Sequence, residues 1–129
     1  MDIITKLKSI ENLDYVGGCS DIQIEEAEQR LNVVFPKEYK QYLKHFGCVN
    51  FKNVYLTGLN VTGVFNVVEA TLSERKGNKY FPEKVFVIDT GLGTNNKIIS
   101  NEKGNCFVIC NDEITKLYKT MEEYISNCY

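Results

Sequence analysis

The stretch "LNVVFPKEYKQYLKHFGCVN", residues 31–50, places a proline, a series of aromatics at three- and four-residue spacing and a glycine close together. Pro36 suits the first turn of a helix, where its missing N–H would have had no partner. Tyr39, Tyr42, Leu43 and Phe46 then recur on one helical face. Gly47 supplies a left-handed stop. The spacing predicts a short amphipathic helix punctuated at both ends, with its aromatic ridge turned inward as packing.

Upstream, Ile3, Ile4, Leu7 and Ile10 have helical spacing, which predicts a first helix over residues 3–13, ended by "VGGCS". Ser20 followed by Gln23 is a capping-box pattern that opens the next helix. Its buried side carries Ile24, Ala27 and Leu31; Glu25 and Glu26 point away, and Glu28 sits beside the apolar side, where it accepts hydrogen bonds at the core's edge. Downstream the period changes. "FKNVYLTG" and "KVFVIDTG" have the β-branched and aromatic content of strands closed by glycines, and "NKIIS" and "NCFVIC" flank the turn "NEKG" as a hairpin. "NVVEATLSERKG" leans toward helix, and Thr120 with Glu123 opens a C-terminal helix that buries Met121, Tyr124 and Ile125. This order is that of an α+β chain, with N-terminal helices packed on a mainly antiparallel β-sheet and a C-terminal helix.

At 129 residues with no repeat, low-complexity tract or Pro/Gly-rich linker, the chain is expected to form a single domain over 1–129. A hydrophobic fraction of 43% and a charged fraction of 25% describe an ordinary globular protein. "MDIITKLKSI" lacks the continuous apolar segment of a signal peptide, and no run reaches membrane-spanning length, so a cytoplasmic location with five reduced cysteines is expected. No basic cluster offers the phosphate footprint of a nucleic-acid binder, and a net charge of −2 names no partner. The distribution says more: residues 11–30 hold six acids against Arg30 alone, while Lys37 to Lys52 reverses the balance, which predicts a polarised surface.

Motifs for chemistry are sparse. Cys106 and Cys110 lie four residues apart on a predicted strand, roughly 13 Å of rise, too far to share one ion, so neither metal nor cofactor is expected. His45, the one imidazole, falls near a helix C-terminus, where it meets the helix dipole. "GLGTNN", residues 91–96, follows a strand as a phosphate loop does but lacks the third glycine and the lysine-serine ending. The acidic segment remains. Clustered carboxylates can occupy the cationic groove of a nucleic-acid-processing protein; the plainer reading is a solvated helix face with Glu26 and Arg30 paired.

"SDIQIEEAEQRL", residues 20–31, followed by "FPKEYKQYLKHFG", residues 35–47, resembles the N-terminal signature of the SUKH superfamily in its Smi/Knr-type branch. Ser20, Ile24, Glu28, Leu31, Pro36, Tyr39, Leu43 and Gly47 match position by position, and "TMEEYI" is similar to the family's closing helix. Phe35 stands where leucine is usual, and Met121 replaces an aromatic. The resemblance implies a non-enzymatic immunity protein that binds a cognate bacterial polymorphic toxin, commonly a nuclease. The alternative it implies is a regulatory protein-interaction domain, as in fungal cell-wall signalling relatives. For a toxin-binding surface the acids point to Asp14, Glu25 and Glu26, with Asp112 and Glu113 as a second spot.

Overall fold

The computed structural model describes residues 2–92, 94–110 and 113–128. Asp2 caps α1 (Ile3–Lys8) by accepting the Thr5 N–H at 2.8 Å. This helix stops well short of residue 13, because Asn12 turns to φ 57° and Asp14–Tyr15 become strand β1. The capping box of α2 (Asp21–Leu31) forms as read: the Gln23 N–H donates to Ser20 Oγ at 3.2 Å, and Gln23 Oε1 accepts the Ser20 N–H at 2.9 Å. Asn32, left-handed at φ 54°, ends the helix.

In α3 (Lys37–Phe46) Pro36 is the residue just before the first turn, and Tyr39, Tyr42, Leu43 and Phe46 are all buried. The ridge is therefore cement. Phe35, Tyr39 and Phe86 meet with ring centroids 4.7–5.0 Å apart, close enough for edge-on contacts to add to the burial energy. Gly47 does stop the helix, but not in the left-handed helical region: φ 74° and ψ −62° with the Cys48 N–H on the Phe46 carbonyl at 2.8 Å make a γ-turn. A side chain there would overlap the Gly17 carbonyl, and one at Gly58 would overlap that of Gly47. Three backbone segments thus stack with no room for a Cβ.

Two sheets replace the single one expected. β1 pairs with β2 (Val49–Phe51), and β2 with β3 (Val54–Tyr55), all antiparallel. "FKNVYLTG" is not one strand, since Lys52 at φ 50° turns the chain back on itself. After a 3₁₀ turn at Gly63–Phe65, α4 (Val67–Gly77) forms where helix was expected. It is capped by Asn66, whose Oδ1 accepts two N–H groups at 2.9 and 3.0 Å. β4 (Val85–Asp89), β5 (Asn96–Asn101), β6 (Cys106–Cys110) and β7 (Glu113–Tyr118) form an antiparallel meander in that order. β7 has no counterpart among the expected strands.

β4 explains the continuous apolar run "VFVID": all five residues are buried because both faces are covered. Phe86 and Ile88 join the main core with α1–α3 and α5 (Met121–Cys128), while Val85 and Val87 join a second cluster beneath Ala70 and Phe81. The two sheets are sutured by buried polar groups. Thr57 Oγ1 donates to the Val87 carbonyl at 2.7 Å, so the Tyr39 hydroxyl 2.9 Å away is the donor to Thr57. Tyr42 donates to the Thr57 carbonyl at 2.6 Å and accepts the Val49 N–H at 3.1 Å. α5 is docked by Glu38, whose carboxylate accepts the Met121 and Glu122 N–H groups at 2.7 and 3.2 Å. Thr120 accepts the Glu123 N–H as a cap should, but the Glu123 carboxylate reaches back to Lys119 rather than Thr120, so the expected box is half formed.

Candidate functional site

Part of the charge polarisation is offset by ion pairs between neighbouring helices. Asp21 pairs with Lys44 at 2.7 Å and Glu28 with Lys40 at 3.5 Å, so the acids of α2 meet the lysines of α3. Glu28 also accepts the Phe35 N–H at 2.7 Å, the edge-of-core role its position suggested. No ion pair joins Glu26 to Arg30 among the described residues; the expected pairing within α2 is replaced by pairing between helices.

Asp14, Glu25, Glu26 and Glu113 are exposed, and Asp112 lies outside the described residues. Asp14 stands at the mouth of a small cleft of about 120 Å³ between the three-stranded sheet and the loop after it, with Val61, Tyr55 and Phe65 in its walls. Tyr55 and Phe65 stack with centroids 5.8 Å apart. Tyr15 and Val16, 61% and 51% exposed, form the apolar shoulder beside Asp14. Glu26 borders a second concavity, of about 340 Å³, that shares Val61 with the first. Asp14 and Glu26 thus flank one loop, although they lie on different elements. Glu25 is the neighbouring exposed position on α2, whereas Glu113 begins the edge strand of the other sheet.

The loop between the two concavities is held by Asn60, a residue with no sequence signal beyond its place in a loop. At φ 63°, its Nδ2 donates to the Gly17 and Gly18 carbonyls at 3.1 and 3.3 Å, and its Oδ1 accepts from Gln23 Nε2 at 2.7 Å. These bonds tie the capping loop of α2 to the loop facing Asp14.

The groups that could perform covalent chemistry are muted. All five cysteines are free. Burial pushes the Cys19 and Cys48 thiols up to about 11 and Cys106 up to about 12, so these three are protonated near neutrality and poor nucleophiles. His45 is exposed, with Nδ1 donating to the Gln41 carbonyl at 3.2 Å at the end of α3. Cys106 and Cys110 occupy opposite ends of β6. Among the described residues no group of three or more His, Cys, Asp or Glu is placed to hold a metal ion. In "GLGTNN" the Gly91 N–H is taken by Asp89 Oδ1 at 2.8 Å, which removes a donor that a phosphate loop would need. Among the described residues no helix is long and apolar enough to cross a membrane.

A buried aromatic helix, two antiparallel sheets and a terminal helix docked by a half-buried glutamate define an α+β domain whose distinctive residues hold the fold together. Compared with known families, the chain belongs to SUKH_5, described as SMI1-KNR4 cell-wall, with residues 1–129 matched. None of the curated proteins compared with it matches.

Proposed function

We propose that this chain is an immunity protein: a single cytoplasmic domain that binds a cognate bacterial polymorphic toxin, a nuclease, and neutralises it by stoichiometric inhibition. Membership of the family supports a binding domain. The observation that carries the reading further is the pair of exposed carboxylates Asp14 and Glu26, free of ion pairs among the described residues, flanking one loop beside the exposed Tyr15 and Val16. Unpaired carboxylates speed encounter with a cationic partner, and aromatic and aliphatic side chains beside them hold the complex. A nuclease, whose own groove attracts phosphate, presents that cationic surface. Glu25, the next exposed carboxylate on α2, would add to the local negative potential, and Asp112 with Glu113 would supply a second acidic contact.

The family's cell-wall description favours a second reading, a regulatory protein-interaction domain without a toxin partner. Co-expression with the toxin encoded beside the gene separates the two. Rescue of growth together with a co-purifying complex supports immunity; neither rescue nor complex removes it.

A further inference from the structure

Gln23 makes more bonds than a helix cap requires. Its Oε1 accepts the Ser20 N–H at 2.9 Å and its own N–H donates to Ser20 Oγ at 3.2 Å, which completes the capping box. A glutamate would serve that box equally well, and its charge would suit the first turn of α2 better. What only the amide can do is donate, and Gln23 Nε2 donates to Asn60 Oδ1 at 2.7 Å. Asn60 in turn gives its own NH₂ to the Gly17 and Gly18 carbonyls at 3.1 and 3.3 Å. Turning the Asn60 amide over to meet a carboxylate at position 23 would leave both glycine carbonyls without that donor. The residue types at 23 and 60 are therefore matched to each other.

The bonds cross between three segments that carry the proposed contact face. Gly17 and Gly18 follow Asp14, Tyr15 and Val16 and have no side chains by which to be held, so their carbonyls are the handles. Glu26 lies one turn along α2 from Gln23. Asn60, at φ 63°, precedes Val61, which lines both concavities. The Gly17 N–H on the Phe46 carbonyl at 3.0 Å and the Leu59 N–H on the Gly47 carbonyl at 2.9 Å fix each loop at its base; the side-chain bonds join the loops at the surface. Asn60 is exposed, so water takes over its partners when the bonds break, and their net contribution to stability is small.

We propose that Gln23 and Asn60 are positioning residues for the partner: their clasp presets Asp14, Glu26 and Val61 in the arrangement the toxin meets, and so sets affinity more than stability. A surface already ordered gives up less conformational freedom on binding, and the gain appears as a longer-lived complex. This role rests on the immunity reading and deepens it.

The test measures association and dissociation rates of the toxin encoded beside the gene with wild type, Gln23→Glu, Asn60→Gly and the double variant, at a temperature where each is folded. Gln23→Glu decides, because two mechanisms give opposite signs. It keeps the cap and adds a carboxylate to the concavity that Glu26 borders, so charge alone predicts faster association and a tighter complex with a cationic partner. Loss of the clasp predicts dissociation about tenfold faster. Asn60→Gly suits the left-handed backbone, removes the side chain and should also speed dissociation about tenfold. The double variant should match Asn60→Gly rather than multiply the two effects, because both break the same clasp. In the free chain, hydrogen exchange at the Gly17 and Leu59 amides should quicken in both single variants. A Gln23→Glu complex as long-lived as that of wild type, multiplied effects in the double variant, or unaltered exchange would each overturn the clasp and leave the immunity reading standing. No complex with wild type removes both.

Discussion

Replacing Tyr42 with phenylalanine removes one hydroxyl from a fully buried ring and leaves the ring's packing intact. That hydroxyl serves two backbone groups, the Thr57 carbonyl and the Val49 N–H. Each orphaned buried group costs about 1–3 kcal/mol, so the variant should lose about 2–6 kcal/mol. Domain stability of this kind totals about 5–15 kcal/mol, so the loss is a large share. Tyr39→Phe is the matched control. Its hydroxyl donates to Thr57 Oγ1, which still donates to Val87, so no backbone group is orphaned and the cost is about 1 kcal/mol. Urea unfolding at constant m should resolve the two. In thermal melts a 3 kcal/mol loss corresponds to a drop of about 10 °C for a chain of this length. A Tyr42→Phe loss no larger than that of Tyr39→Phe would refute the claim that this hydroxyl ties α3 to the backbone of β2 and of the segment after β3.

Three further outcomes follow from the packing. Gly58→Ala would force a Cβ into the Gly47 carbonyl; a loss of about 3 kcal/mol or more, or failure to fold, is expected, and a melt within a degree of wild type contradicts the stacking. Glu38→Ala strips two N–H partners from the start of α5 and should cost about 1–2 kcal/mol, with faster hydrogen exchange confined first to residues 121–125. Burial holds the Asp89 carboxyl above its usual range despite bonds from the Tyr124 hydroxyl at 2.6 Å and the Gly91 N–H, so the folded chain binds that proton more tightly than the unfolded chain. Its contribution is therefore present in acid and lost as pH rises through the raised value. The melting temperature of wild type minus that of Asp89→Asn should fall from pH 4 upward, and a rise in that difference contradicts the sign.

The helices could be read because each is punctuated by local chemistry: Ser20 with Gln23, Pro36 before the aromatic ridge, Thr120 ahead of Met121. The strands that escaped notice lack such signals. β1 has two residues, both exposed, and exists through its pairing with Val49 and Asn50. β7 leaves Ile114 and Leu117 at 43% and 42% exposure, so no clean inside-outside alternation marks it. The split into two sheets turns on the positive φ of Lys52, a residue type that gives no warning of it. The acids were visible, but not their fates: Asp21 and Glu28 find lysines on the next helix, while Asp14 and Glu26 do not.

The most direct test of the central claim is a titration of the purified toxin's activity with this chain. The account predicts a linear fall to an endpoint at one chain per toxin, with the endpoint lost when Asp14 and Glu26 are both changed to lysine. Inactivation of many toxin molecules by one chain, or full activity at any excess of it, would contradict inhibition by a stoichiometric complex.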